Sequence, residues 1–262
     1  MISRSRIREV AAGGALEPIV TRSAVIDEFV VRIASALDAK AKAPKPRADP
    51  LGDFEPELYV GDVGPSHYAL LNKYPVLPDH LLIVTRAAEP QDRLLGAEDF
   101  AALAHVMGEL DALGFYNGGR DAGASQGRKH LQLLPLPLAA EAATPVPLER
   151  LITSGALPFM HAFAPLAGLA EMHARYRELL ARCGITALAE EKHSAPYNLL
   201  ATRRWMLVVP RRRERAEGIS INALGFAGSL FVRNDEELER VRRARPMNIL
   251  RTVTLQSPRG YI

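Results

Sequence analysis

Gly123-Ala124-Ser125-Gln126-Gly127-Arg128-Lys129-His130-Leu131-Gln132 is the stretch on which the reading of this chain turns. Small residues give way to alternating polar and apolar positions, the pattern of a loop leading into a strand over about 129–134. Alternate side chains on a strand share a face. Arg128, His130 and Gln132 then project together, while Lys129, Leu131 and Leu133 face the other way, the leucines toward a core. Gly123, Ala124 and Ser125 bring little bulk to an approaching ligand, and amides in such a loop can point at phosphate oxygens as an anion nest does. Ser125 and Gln126 add side-chain donors. Imidazole is a nucleophile toward phosphorus and is neutral at pH 7 near its ordinary pKa. Glutamine can hydrogen-bond a phosphoryl oxygen but cannot move a proton. Residue types alone leave a structural or surface role for His130 open. The Gly-Lys-Ser/Thr signature of a P-loop is absent.

Working outward, Phe115 and Tyr116 begin a strand that stops at Asn117-Gly118-Gly119, and Pro135-Leu136-Pro137-Leu138 closes the strand that holds His130. Phe100, Leu103, Val106, Met107, Leu110 and Leu113 are spaced for a helix ended by Gly114. Val25, Ile26, Phe29, Val30, Ile33 and Leu37 predict another over 23–41, followed by an exposed Pro-rich connection over 42–50. Residues 68–71 and 81–85 read as strands around a Pro-punctuated link. Leu166, Leu169, Met172, Tyr176, Leu179 and Leu180 predict a third helix. Strands are expected at 198–202, 205–209, 219–223 and 229–232, and Asn234 suits the N-cap of a last helix from Asp235. Strands in adjacent pairs, without regularly interleaved helices, favour an α+β antiparallel sheet over a doubly wound parallel one.

The 262 residues are 48% hydrophobic and 24% charged, an ordinary globular balance with enough length for a sizeable core. A net charge of +3 argues against nucleic-acid binding, because the basic runs Arg211-Arg212-Arg213 and Arg242-Arg243 with Arg245 are short and lie beside glutamates. They suit a solvated face or a loop near an anionic small molecule. The single cysteine, Cys183, excludes a disulfide framework and a cysteine-based zinc site and suits a reducing cytoplasm. No secretory signal is legible at the start, and the apolar region 152–172 is broken by Pro158, His161 and Pro165, so no membrane partner is expected. The seven histidines lack a metal-ligand spacing such as His-Glu-x-x-His, so no protein-bound catalytic metal is expected.

Lys129-His130-Leu131-Gln132, following Gly123-Ala124-Ser125-Gln126, resembles the histidine-triad superfamily, and most closely its diadenosine tetraphosphate phosphorylase (ATP adenylyltransferase) branch. Leu71-Asn72-Lys73-Tyr74-Pro75-Val76 with His80-Leu81-Leu82-Ile83-Val84-Thr85, Tyr197-Asn198-Leu199-Leu200 with Trp205-Met206 and Val209-Pro210-Arg211, and Asn222-Ala223-Leu224-Gly225-Phe226-Ala227-Gly228 match in the same order. The resemblance runs from about Gly14 to Arg233. It implies a histidine-triad-like antiparallel sheet flanked by helices, in one catalytic domain over 1–262. A part of about 1–140 would carry His130, and about 150–262 would complete the fold.

What it implies about chemistry is concrete. His130 would attack the α-phosphate of a dinucleoside polyphosphate, releasing ATP and leaving an AMP-histidine that inorganic phosphate resolves to ADP. Gln132 stands where hydrolase branches have a third histidine, which suits transfer to an acceptor other than water. Asn117 would bind ribose or phosphate, Asn72 and Lys73 would contact the nucleotide, and Asn222, Ser229 and Arg233 would lie near the distal part of the ligand. Arg128 replaces the histidine that often opens the motif, and could add a phosphate contact. The implied partners are a nucleotide and inorganic phosphate, with no required cofactor, Mg2+ at most accompanying the nucleotide, in a cytoplasmic monomer or weak dimer. A hydrolase, another nucleotidyltransferase, a non-catalytic adenine-nucleotide sensor and an RNA binder are the competing readings.

Overall fold

The computed structural model of the chain describes residues 2–34 and 49–256. Eight strands make one antiparallel sheet: β3 (Tyr59–Val63), β4 (His67–Leu71), β5 (Leu81–Thr85), β6 (Ala112–Gly118), β7 (His130–Pro135), β8 (Ala162–Pro165), β9 (Tyr197–Ala201) and β10 (Trp205–Pro210). Their spatial order is β3-β4-β5-β7-β6-β9-β10-β8, so β7, the strand of His130, is central. A three-stranded sheet is formed by β1 (Arg22–Ile26), β2 (Phe29–Ile33) and β13 (Ser229–Val232), and a two-stranded ribbon by β11 (Arg215–Ala216) and β12 (Ile219–Ser220). The α+β antiparallel architecture expected from the sequence is the one observed.

The helix expected over 23–41 is not formed. Its described part is the antiparallel hairpin β1–β2, with Ile26 opposite Phe29 across a two-residue turn. Asp27 takes positive φ in that turn, a backbone sign that short hairpins need and aspartate tolerates. Val25, Val30, Val31 and Ile33 are β-branched and stiff at χ1, so strands suit them better than a helix, and every residue of β2 is buried. Residues 35–41, and 42–48 of the expected connection, lie outside the described residues. Helix α2 (Ala97–Glu109) ends before Leu113, which with Gly114 belongs to β6. Every residue of that strand is buried, and a strand covered on both faces leaves no alternation to separate it from the preceding helix. A Cβ on Gly114 would come within 2.9 Å of the Leu103 side chain, so α2 lies close on the sheet there.

Downstream, helix α4 (Met172–Arg182) starts later than Leu166, which follows Pro165 of β8. Residues 219–223 are only briefly extended, and Ala223 opens the short helix α5 (Ala223–Phe226). Asn234 caps α6 (Asp235–Ala244), its side chain accepting from the Glu237 amide. Helices α1 (Arg4–Ala12), α3 (Glu149–Thr153) and α7 (Pro246–Val253) complete the set.

The two faces of the large sheet do different things. Leu71, Ile83, Leu131, Leu133, Tyr116 and Leu199 pack on one face under α2 and α4. The opposite face is covered in two separate places. The β1–β2–β13 sheet and α5 cover Leu113, Phe115, Leu200 and Leu207, while Leu51, Phe54 and Tyr59 cover Tyr68, Leu70, Leu82 and Val84. In the sheet register His130 lies beside Val84, and Gln132 lies between Leu82 and Phe115. His130 and Gln132 therefore fall between the two covered areas.

Candidate active site

The His130 ring is held from within its own strand. Its Nδ1 lies 2.8 Å from the Arg128 carbonyl oxygen. A carbonyl only accepts, so Nδ1 carries the proton and donates, and Nε2 keeps its lone pair. The side chain is buried, and burial pushes its pKa below the ordinary imidazole value against the opposing pull of the Arg128 carbonyl. The neutral, Nε2-nucleophilic tautomer is thus the stable one. Gln91 clamps the strand: its Oε1 accepts from the His130 amide at 2.9 Å, and its Nε2 donates to the carbonyls of Asn117 and His130.

Gln132 is oriented by a relay. The Tyr74 amide donates to Asn72 Oδ1 at 3.1 Å, so the Asn72 amide nitrogen faces His80 Nδ1 at 3.1 Å. His80 then carries its proton on Nε2, which donates to Gln132 Oε1 at 2.9 Å. The Gln132 NH2 group is left with no acceptor among the described residues. Asn117 is set the same way. Its Oδ1 accepts from Asn198 Nδ2 at 2.8 Å and from the Ala223 amide at 2.9 Å, again leaving the NH2 group without a described acceptor. Two side-chain amides on either side of His130 consequently present donors only, an arrangement that favours anionic oxygen.

The loop between β6 and β7 turns on two glycines. Gly119 and Gly123 have φ of +88° and +89°. A Cβ on Gly123 would lie 2.8 Å from the Ile221 carbonyl, so the loop packs directly on the segment before α5. The expected nest of amides at Gly123 and Ala124 is corrected: these amides donate to the carbonyls of Arg120 and Gly119. The Ser125, Gln126 and Gly127 amides donate to no described residue, and the exposed Ser125 side chain has no described partner.

Other expected contacts are also placed differently. Arg128 is half-buried and not free for phosphate: its Nε donates to Asp49 Oδ2 at 2.8 Å, and Nη1 reaches the carbonyls of Thr85, Arg86 and Ala87. Its second role is to place the carbonyl that holds His130. Lys73 is paired with Glu55 at 2.8 Å and Glu17 at 3.4 Å, so its charge is already compensated. Asn222 caps α5, accepting from the Leu224 amide. Ser229 is buried against Arg32, 2.6 Å from its Nη1, and Arg233 pairs with Glu237. Neither hydrogen-bonds to His130, Gln132 or the loop. Lys129 faces away from the site as expected, but into an ion cluster with Asp99 at 2.6 Å and Glu89 at 3.0 Å.

Sequence reasoning missed His80, Gln91, Asn198 and Arg211. His80, Asn198 and Arg211 fall in stretches that carry the resemblance, but only the strand register reveals that they touch Gln132, Asn117 and the loop. Gln91 has no local sequence signal. Among the described residues no group of three or more His, Cys, Asp or Glu could hold a metal ion.

A central-strand histidine with a fixed tautomer, flanked by donor-only amides, is an arrangement suited to handling a nucleotide phosphate. The family model described as the Ap4A phosphorylase N-terminal domain matches residues 3–154, and that of the ATP adenylyltransferase C-terminal domain matches 155–256. "Diadenosine 5',5'''-P1,P4-tetraphosphate phosphorylase 2" of Saccharomyces cerevisiae is 28% identical, over 80% of this chain and 77% of that protein. "Protein APA1" of the same yeast is 30% identical, over 74% of this chain and 71% of that one. The crystal structure of yeast Ap4A phosphorylase Apa2 in complex with Ap4A superimposes with a TM-score of 0.81 at 23% identity, covering 98% of this chain and 100% of that one, and so shares the fold. The chain belongs to the Ap4A phosphorylase (ATP adenylyltransferase) family.

Proposed function

We propose that the protein is a nucleotidyltransferase that cleaves diadenosine tetraphosphate (Ap4A) with inorganic phosphate, giving ATP and ADP. Family membership supplies the reaction class. The observation that carries the mechanism is the Nδ1 contact of His130 with the Arg128 carbonyl, which leaves Nε2 unprotonated. Nε2 attacks the α-phosphorus, the bond from that phosphorus to the bridging oxygen breaks, and ATP leaves. The AMP-imidazole that forms is cationic, and the same carbonyl stabilises its Nδ1 proton. A phosphate oxygen then attacks the phosphorus, the P–N bond breaks, and ADP departs with His130 restored. Two in-line displacements replace one, and positioning and charge stabilisation supply most of the rate.

Gln132 and Asn117 donate their amides to phosphoryl oxygens. We assign the Ser125–Gly127 amides, the Ser125 hydroxyl and the Gln126 side chain to the same ligand, with Asn72 acting on Gln132 through His80. Neither glutamine nor the fixed Nδ1 proton provides a base to activate water, which favours phosphate, already an anion, as acceptor. The residues from both family models share one sheet, through β6 beside β9, and this supports a single catalytic domain. No described helix is long and apolar enough to cross a membrane.

The test is incubation with Ap4A with and without phosphate. ATP and ADP in equal amounts, strictly dependent on phosphate, are expected. Cleavage at the same rate without phosphate would replace this reading with a hydrolase. The relay adds a second prediction. His80→Ala frees the Gln132 amide to rotate, and kcat should fall roughly 10–100-fold, the range seen when an orienting outer residue is lost. An unchanged kcat would mean that Gln132 is not oriented by His80.

A further inference from the structure

Beneath the loop lies a buried cation whose hydrogen bonds end on uncharged oxygens. Arg211 follows β10 and is only 2% exposed. Its Nη1 donates to Asn198 Oδ1 at 2.6 Å and reaches the Ala122 carbonyl at 3.4 Å. Its Nη2 donates to the carbonyls of Arg213 and Glu214, and its Nε to that of Val253. Its guanidinium also lies 5.3 Å from the Phe226 ring centre. Glu214 and Asp121 act on it through space, but burial outweighs them and pushes its pKa down to about 10. Asp121 is exposed, and Glu214 is engaged by the Ser220 hydroxyl. A desolvated guanidinium without a bound carboxylate is unfavourable in the free protein and attracts negative charge nearby.

The contacts of Arg211 also set an orientation. Because Asn198 Oδ1 faces the guanidinium, Asn198 Nδ2 must face Asn117 Oδ1 and the Ala122 carbonyl, at 2.8 and 2.9 Å. Asn117 must then turn its own NH2 group outward. One buried cation, acting through Asn198 and together with the Ala223 amide, thus sets the polarity of the Asn117 side chain and anchors the loop at Ala122. We propose that Arg211 is the positioning residue of the phosphate side of the site, orienting the Asn117 amide through Asn198 and placing beneath the loop a positive charge that a bound polyphosphate offsets. This rests on the reading of the His130 site as a polyphosphate site.

Asn198→Asp tests it in the full chain. The new carboxylate would pair with Arg211, keeping the fold while cancelling the charge. It would also take away the donor that Asn198 gives to Asn117 Oδ1 and the Ala122 carbonyl, leaving the Ala223 amide as the one described donor to that oxygen and loosening the Asn117 amide. Calorimetric titration with ATP, inorganic tripolyphosphate and adenosine should show tenfold or greater loss for the two anions and a change of less than twofold for adenosine. Arg211→Lys, which keeps the charge but loses the planar fork, should give a smaller loss with the same selectivity. Wild-type affinity for the anions in Asn198→Asp, or an equal loss for adenosine, would overturn the proposal. So would unfolding of both variants, since Arg211 would then be a residue of the fold. Failure of the wild-type protein to bind tripolyphosphate would instead overturn the underlying reading of the site.

Discussion

His130→Ala is expected to lower Ap4A phosphorolysis by at least ~10^4-fold, the scale on which removal of an attacking residue acts in covalent catalysis. Mass spectrometry of the wild-type protein mixed with Ap4A in the absence of phosphate should show a mass increase of one AMP, and the variant should show none. Binding of ATP should persist in the variant, because Gln132 and Asn117 are held by His80 and Asn198 and not by the imidazole. A retained adduct in His130→Ala would assign the attacking atom elsewhere. Loss of binding together with activity would make His130 a residue of recognition. His80 does not replace it, since its Nε2 proton is already committed to Gln132.

Lys129→Met should be the most destabilising single change on the other side of the same strand. The Lys129 ammonium is 4% exposed and pairs with Asp99, itself 4% exposed, and with Glu89. Asp99 also accepts from His67 at 2.9 Å and from the Gly96 amide at 2.7 Å. Removing the lysine strips the buried Asp99 of its lysine partner, while the partly exposed Glu89 keeps Arg93 at 3.3 Å, and breaking such a buried pair costs about 3–5 kcal/mol. Thermal unfolding should shift down by on the order of 10 °C. Replacing Asp99 by Leu in the Lys129→Met background should recover part of the loss, because the stranded charge is then gone. Burial alone would raise the Asp99 pKa, but His67, Lys129 and the Gly96 amide together hold it below the ordinary carboxylate value. Its contribution is present above the unfolded pKa and lost as pH falls through the folded one, so the stability gap between the wild type and Lys129→Met should be widest near neutral pH and narrow on acidification. A melting point within two or three degrees of the wild type would show the cluster to contribute little.

The strand of His130 was legible because a half-covered strand alternates, and β7 does so at Leu131, Gln132 and Leu133. The pairs β4–β5 and β9–β10 were legible because apolar runs ended at turns and prolines. The hairpin β1–β2 was not, because Val25, Ile26, Phe29, Val30 and Ile33 satisfy a helical spacing by coincidence, and only the parallel pairing of β2 with β13, some 200 residues away, decides the matter. In the site, His130 and Gln132 could be named from local pattern and resemblance. Arg128 and Lys73 could be named but not assigned, because the carboxylates that compensate them, Asp49, Glu55 and Glu17, are remote in sequence. A cation's availability depends on its partners, and sequence alone does not give those.

The joint between β6 and β9 has a consequence for synthesis. Asn117 lies opposite Asn198 across that joint, and its orientation also requires Arg211 and the Ala223 amide. A nascent chain that has emerged only as far as β7 already contains His130, Gln132, His80 and Gln91. It still lacks the groups that turn Asn117 outward and hold the loop at Ala122. The proposed nucleophile is therefore made well before the groups that orient Asn117 and hold the loop. An N-terminal portion ending after β7 would carry His130 without Asn198, Arg211 and the Ala223 amide, the groups that turn Asn117 outward and hold the loop at Ala122.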